Sequence, residues 1–371
     1  MKVSIILRSP FLDKIPSLKN LIIYLAEHGA KVKVISTIDI NYPQTIFSNR
    51  NIKVINSVVR TKKMQLPTMV GLTSNVIKDI LFDKSDLYIG GDAQSSKLLY
   101  DLRFIRKFHF WDFLLEYPEL EDIKDKRVLK SASKIITHDK WHSDFLNKNI
   151  GTSDSQFLYL PNSTFTKEVH TDSKFLHHRL GLNENQHIIL HSGGLGKWFL
   201  CQEFAQATRG LREDAIVVFH TSHNTTGTSY FKDIQSEVNN NKLPVEFSLL
   251  PVSDEELDNL VASATIGTAF YSVDILGYKA ENMGVAAGKI GNYLKCGVPV
   301  ICTNLPSLQY IRDYGCGILI DSFDQLHDAI DKILADLDEY KANAYTCYEE
   351  LWEPSAYLGR IFKSIDDINN K

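Results

Sequence analysis

The chain has 371 residues, 44% of them hydrophobic and 23% charged, which is long for one domain and sufficient for two with separate cores. No apolar run reaches the ~18 residues of a membrane span. The five cysteines (Cys201, Cys296, Cys302, Cys316, Cys347) lack C-x-x-C spacing, which argues against zinc and for free thiols in a reducing cytoplasm. The net charge of −4 conceals a split: residues 1–170 hold 25 Lys and Arg against 18 Asp and Glu, so a half at +7 precedes a remainder at −11. A basic half suits an anionic partner or membrane surface, or is only a lysine-rich solvated face.

The opening MKVSIILRSPF has no small-residue cleavage site and reads as a first strand, not a signal peptide. Residues 16–28 place apolar side chains at helical spacing, Gly29 stands where a C-cap belongs, and 31–36 is a second strand, a β-α-β start. Further strands are expected at 52–55, 87–89, 107–111, 134–137 and 156–160, with helical patterns between most of them. A second round follows, with strands at 187–190, 215–219, 245–248, 266–270, 298–301 and 317–320 and helices at 200–209, 254–264, 289–295, 307–313 and 324–337. Two such rounds predict an α/β chain of two Rossmann-like doubly wound domains facing a cleft, joined within 162–179 where polar residues cluster. There is no internal repeat and no low-complexity tract.

Ligands of such sheets bind beyond the carboxyl ends of the strands. After 187–190 comes HSGGLGK (191–197), in which Gly193 and Gly194 allow close backbone approach and Lys197 adds positive charge. Backbone N–H groups at a helix start suit a diphosphate. The stretch is neither a P-loop nor G-x-G-x-x-G, and the alternative is a glycine turn serving tight packing alone. Lys289 opens another helix at the same cleft edge and can reach a phosphate, or is a surface lysine. Asn292, one turn on, is placed for a ribose or base, and Lys295 is expected to point to solvent. LYIGGDAQSS ends a strand at Gly90-Gly91-Asp92, which makes Asp92 a candidate base. His138 and His142 are four apart, which would suit a metal on a helix, but no third ligand is apparent. His138 is taken as a cleft residue and His142 as a surface histidine.

GKIGNYLKCGVPVICTNLP (288–306) resembles the K-x-x-x-Y-L-x-x-G-x-P-V-I signature of GT-B glycosyltransferases, as in the large retaining family 4 and in the cytoplasmic glucosyltransferases of adhesin glycosylation. PVEFSLLPVSDEELDNLVASATIGTAFYS, FLYLPNSTF, KIITHDKWHSDFL and HSGGLGKWF are similar to other segments of that plan, in order, along nearly the whole chain. The resemblance implies a GT-B fold, with residues 1–165 an N-terminal acceptor-binding domain, 166–350 a C-terminal nucleotide-sugar-binding domain, and a C-terminal helix in 351–371 packing back on the first. It implies sugar transfer from a nucleotide sugar, a UDP-sugar, without a metal or other cofactor. Gly193, Gly194, Lys197 and Lys289 would hold the diphosphate, with Pro251, Glu281, Ile290 and Asn292 completing the donor site.

The chain departs from family 4 at several positions, and the arginine usual in its phosphate loop has no clear counterpart near Gly194. Gly284 and Asn292 stand where that family has glutamates eight apart, which leaves retention or inversion open. HFWDFLLEYPEL (109–120) is similar to a D-x-H-E-x-x-P-E segment at Asp112, Pro118 and Glu119, with leucines at 114 and 115 in place of His and Glu. Glu116 is then the nearest candidate base, beside Asp92 and His138, or belongs to a solvated acidic loop. The expected partners are the donor and a glycan, lipid-linked or protein-linked acceptor of bacterial surface polysaccharide or glycoconjugate synthesis. No nucleic acid is expected, and a homo-oligomer is compatible. The location implied is cytoplasmic, with Arg103, Arg106, Lys107, Lys124, Lys126, Arg127 and Lys130 suited to peripheral contact with the anionic inner face of the membrane. The alternatives are a sugar-nucleotide epimerase of the same fold and a non-catalytic nucleotide-sugar-binding subunit of a transferase complex.

Overall fold

The computed structural model describes residues 1–39, 45–59, 65–118, 120–165, 172–221 and 226–369. The chain divides into two compact units, residues 1–165 with 354–371, and residues 166–353.

The first unit is a parallel seven-stranded sheet of β1 (Lys2–Leu7), β2 (Lys31–Asp39), β3 (Ile52–Val59), β4 (Leu87–Gly90), β5 (Phe110–Phe113), β6 (Lys134–Thr137) and β7 (Phe157–Tyr159), in the order β3-β2-β1-β4-β5-β6-β7. Its helices are α1 (Pro16–Glu27), α2 (Gln65–Lys78), α3 (Ala93–Leu102), α4 (Ile123–Ser131) and α5 (Lys140–Ile150). Strand β1 is buried from Val3 to Leu7 because helices cover both faces of a parallel sheet. Val3, Ile5 and Leu7 pack in one layer with Leu18, Leu21 and Leu25 of α1, while Ile6 turns to the other with Leu72, Val76 and Leu99.

The second unit is a parallel six-stranded sheet of β8 (His187–Ser192), β9 (Ala215–His220), β10 (Val245–Ser248), β11 (Ile266–Ala269), β12 (Val300–Thr303) and β13 (Gly317–Ile320), in the order β10-β9-β8-β11-β12-β13. Its helices are α6 (Phe175–Leu180), α7 (Cys201–Ala207), α8 (Ser229–Asn241), α9 (Asp254–Ala262), α10 (Val273–Leu276), α11 (Tyr278–Glu281), α12 (Gly288–Lys295), α13 (Tyr310–Asp313), α14 (Leu326–Ala335) and α15 (Leu337–Cys347). A last helix, α16 (Ser355–Asn369), returns to the first unit, where Leu358, Ile361 and Ile365 join the core layer of α1. Trp352, just before it, stays in the second unit, its ring against Gly291.

Several boundaries differ from the sequence expectation, and three bear on the site or have a plain cause. Strand β5 begins at Phe110 and not at 107, because the chain is still turning between Leu102 and His109. Strand β12 begins at Val300 and not at 298; Pro299 has no N–H for the ladder, and its carbonyl instead accepts from Gly267 (2.9 Å). Strand β8 runs on through His191 and Ser192, which places both in the sheet and not in the glycine loop. Each sheet reverses its strand order once, between β1 and β4 and between β8 and β11. The crevice beyond the carboxyl ends at such a reversal is where open α/β sheets bind ligands.

Candidate functional site

At the second reversal, β8 leads into Gly193–Gly196 and a 3-10 turn, Lys197–Phe199, before α7. The Gly193 N–H donates to the His220 carbonyl (2.9 Å), which turns the chain sharply at the strand end. Gly193 has φ +140°, and a Cβ there would come within 3.5 Å of the Lys289 amine. The position is thus glycine for its backbone, and a side chain there would lie in contact with the lysine. Across the reversal, β11 ends at Ala269 and leads through Phe270 into Tyr271 and Ser272. The Tyr271 N–H donates to Thr303 Oγ1 (2.9 Å) and the Ser272 N–H to the Trp198 carbonyl (3.0 Å), so the turn and both strand ends are tied together.

Helix α12 supplies the charge. No side chain caps its first turn. The stem of Lys289 is half-buried, while its Nζ is wholly buried and has no hydrogen-bond partner. The amine lies 3.8 Å from the centre of the Phe199 ring and 5.7 Å from that of Tyr271, an aromatic seat that returns only part of what desolvation costs. Burial accordingly pulls its pKa down to about 8, against a smaller upward pull from Cys201 and Cys302. His191 lies beneath, its Nε2 donating to the Gly194 carbonyl (3.2 Å). Burial first, and the Lys289 charge second, hold His191 well below its ordinary pKa, so it is neutral. One turn along α12, the Tyr293 hydroxyl accepts from the Ser192 N–H (2.7 Å) and donates to the Leu190 carbonyl (2.9 Å), which locks the helix to the end of β8. Gly267 leaves room for that ring, since a Cβ there would sit 2.3 Å from it. What results is a cation held, among the described residues, without a counter-ion, beside a glycine loop and an uncapped helix start, an arrangement suited to an anion with several oxygens.

The other donor candidates are spread more widely. Lys197 is exposed in the turn, Asn292 is half-buried on α12, and Glu281 is exposed at the end of α11. Pro251 lies in the exposed loop after β10, where Arg179 donates to the neighbouring Leu250 carbonyl (3.0 Å). Ile290 presents no group to a ligand: its side chain is core, and its N–H donates to the Ala287 carbonyl (2.8 Å). Lys295, expected in solvent, is buried and donates to Asp258 Oδ1 of α9 (2.6 Å). Sequence reading missed Phe199, Tyr271 and Tyr293; Tyr293 was visible as the tyrosine of the 289–301 motif, whereas no spacing marks the other two.

The first unit brings its three base candidates to the carboxyl edge but commits two of them elsewhere. Asp92 is the N-cap of α3: Oδ1 accepts from Ser95 N–H (2.8 Å), and Oδ2 from the N–H groups of Arg8 (2.8 Å) and Ser9 (3.0 Å). A carboxylate holding three backbone donors is engaged as a structural clamp. His138 is buried as a strut, with Nδ1 3.2 Å from the Leu160 carbonyl and Nε2 3.1 Å from the Leu115 carbonyl. Burial holds its pKa below the ordinary value in spite of those bonds. His142 is not a surface residue: it is buried against the Tyr117 ring (3.9 Å), with both ring nitrogens unpartnered. Glu116 is exposed in the loop after β5, and Glu119 lies outside the described residues. Asp112, on β5, is fully buried and accepts from Ser96 Oγ (2.7 Å). Burial, with help from Asp125 and Asp92 and against the Ser96 bond, raises its pKa to about 7. Among the described residues no cluster of three His, Cys, Asp or Glu is placed to hold a metal, and no helix is long and apolar enough to cross a membrane.

The chain has the GT-B fold, that of glycosyltransferases built from two Rossmann-like domains. It is similar in structure to sucrose-phosphate synthase from Thermosynechococcus elongatus (TM-score 0.78, 14% identity, 100% of this chain and 99% of that one). It is also similar to Anabaena HepE in complex with UDP-glucose (0.75, 14%, 99% and 100%) and to a glycosyltransferase from Rickettsia africae (0.68, 14%, 99% and 98%). No family model matches the sequence, and no curated protein matches it.

Proposed function

We propose that the protein is a glycosyltransferase that moves a sugar from a nucleotide sugar, a UDP-sugar, to an acceptor hydroxyl. The observation that carries this reading is the Lys289 amine, buried without a partner between Phe199 and the Gly193 loop. A diphosphate supplies the charge and the acceptors that this amine lacks. The Gly194 N–H, with Lys197 and the start of α12, takes its remaining oxygens, Gly193 lets the loop approach closely, and Asn292, Glu281 and the Pro251 loop bound the nucleoside. The full-length likeness to HepE, a protein seen with UDP-glucose, supports uridine as the nucleoside.

In the reaction the acceptor oxygen forms a bond to the anomeric carbon while the bond from that carbon to the diphosphate breaks. The electron pair leaves on the phosphate, where Lys289 and the helix dipole stabilise it, so no metal is needed. The acceptor proton passes to Glu116, since Asp92 and His138 are already engaged, or to a leaving phosphate oxygen. The acceptor is a glycan, free or carried on lipid or protein.

The test is nucleotide-sugar consumption, with and without added glycan acceptors and with and without EDTA, beside calorimetry with UDP, GDP, CMP and dTDP. UDP release that requires acceptor and survives EDTA supports the reading. Interconversion of the sugar nucleotide without acceptor marks an epimerase, and UDP-sugar binding without turnover marks a binding subunit. Failure of every nucleoside diphosphate to bind overturns it.

A further inference from the structure

Two loops at the amino edge of the first sheet hold large apolar side chains in solvent. The segment before β4 carries Leu81 and Phe82, and the segment before β5 carries Phe104. Phe82 is 77% exposed and Phe104 85%, while Tyr88, Phe110 and Trp111 a few residues away are buried. The loops are neighbours. The Arg106 guanidinium donates to the Ile80 carbonyl (3.5 Å), and the Phe108 ring packs 4.7 Å from that of Tyr88, whose hydroxyl accepts from the Ser85 N–H (3.2 Å).

The charge around these rings is positive. Lys84, Arg103, Arg106 and Lys107 flank them, and none is ion-paired among the described residues. The acids of the same segments are occupied: Asp79 and Asp83 by Lys33, Asp86 by the Lys2 N–H, and Asp101 by Lys124. The Lys124 pair also takes that residue out of the basic run read along 103–130.

We propose that this edge docks on an anionic lipid bilayer, Phe82 and Phe104 entering the interfacial layer while Lys84, Arg103, Arg106 and Lys107 meet the phosphates. A protein partner is the weaker fit, because a stable protein interface has a continuous apolar centre, on the order of 800 Å² a side. Here two rings stand apart, Phe82 on the helical turn that ends α2 and Phe104 on the turn before β5, inside a cationic collar, the combination that suits the layer between headgroups and acyl chains. All the strands are parallel, so this edge is opposite the carboxyl edge where β1 and β4 part. The docked unit keeps that edge open to an acceptor, and the surface acts as a tether. The inference does not rest on the transferase reading.

The test is co-sedimentation of the full chain with vesicles of phosphatidylcholine alone or mixed with phosphatidylglycerol, at low and physiological salt. The expected result is binding to the anionic vesicles only. The double variant Phe82→Ser/Phe104→Ser should weaken binding by at least about tenfold at either salt, as two buried rings are lost. The variant Arg106→Glu/Lys107→Glu should remove most of the salt-sensitive part, each basic residue being worth roughly fivefold. Circular dichroism and UDP affinity should be unchanged in both, which separates a failure here from a failure of the donor site. Absence of binding to anionic vesicles at low salt overturns the proposal. So does binding indifferent to the two phenylalanines, or a concentration-dependent dimer in sedimentation velocity that the phenylalanine variant abolishes.

Discussion

Lys289→Met tests the donor site through two effects of opposite sign. Methionine keeps the length of the stem, leaves a thioether on the Phe199 face and removes the charge. In the free protein, burial has brought the amine from 10.5 to about 8. Below pH 8 the folded state therefore holds a cation that the unfolded chain holds more easily, and at pH 7 the difference amounts to about 3 kcal/mol. Some of this is offset by the lost cation–π contact, about 1 kcal/mol. Urea unfolding at pH 7 should then show the variant more stable by about 1–3 kcal/mol, a gain that fades as pH rises from about 8 through 10.5, above which the lysine is neutral in both states. The same variant should lose about 1.5–3 kcal/mol of UDP affinity by calorimetry, while uridine binds as before. A variant less stable than the parent, or one that binds UDP normally, would mean that the amine is not an uncompensated cation awaiting an anion.

Other expectations follow from the same groups. Because a bound diphosphate raises the amine pKa, UDP affinity should be level near pH 7 and fall by up to about tenfold per unit above pH 8, a slope absent in Lys289→Met; calorimetry across pH 7–10 reads it. Asp112 is raised from 3.8 to about 7, so it binds more protons folded than unfolded and its contribution to stability declines as pH rises from about 4 to 7. Asp112→Asn should flatten that decline in urea unfolding at pH 5 and pH 7.5, and an unchanged slope would count against a buried acid there. Lys295→Met leaves Asp258 without its partner and should cost about 2–3 kcal/mol of unfolding free energy, with UDP affinity intact in the folded fraction.

The strands were legible because parallel strands covered on both faces are uninterrupted apolar runs: 134–137, 245–248 and 317–320 coincide with β6, β10 and β13. Ends were less so where a strand begins among mixed residues, as at 107–110, or where proline lies just outside the ladder, as at 299. The donor loop and Lys289 could be proposed together because glycines and a basic residue at two helix starts carry their own chemistry. The aromatic seat could not, since Phe199 and Tyr271 lie 72 positions apart in sequence and meet only through the pairing of β8 with β11. The same limit hid Lys295, whose partner is 37 residues upstream, and Asp92, which reads as a base until its three backbone donors are seen. Local pattern reports exposure and period; it does not report which distant group will satisfy a charge.

The return of α16 to the first unit has a consequence for how the chain is born. The layer over α1 is completed by Leu358, Ile361 and Ile365, with Phe362 set against Tyr24 and His28. A ribosome that has just finished residue 165 must still polymerise the whole second unit before that helix emerges, about 10–40 s at common translation speeds. Throughout that interval the nascent first unit shows an apolar furrow along α1, and by its end the second unit is complete. The second unit, made later, can thus complete its core before the first, whose last core helix is the last to be synthesised.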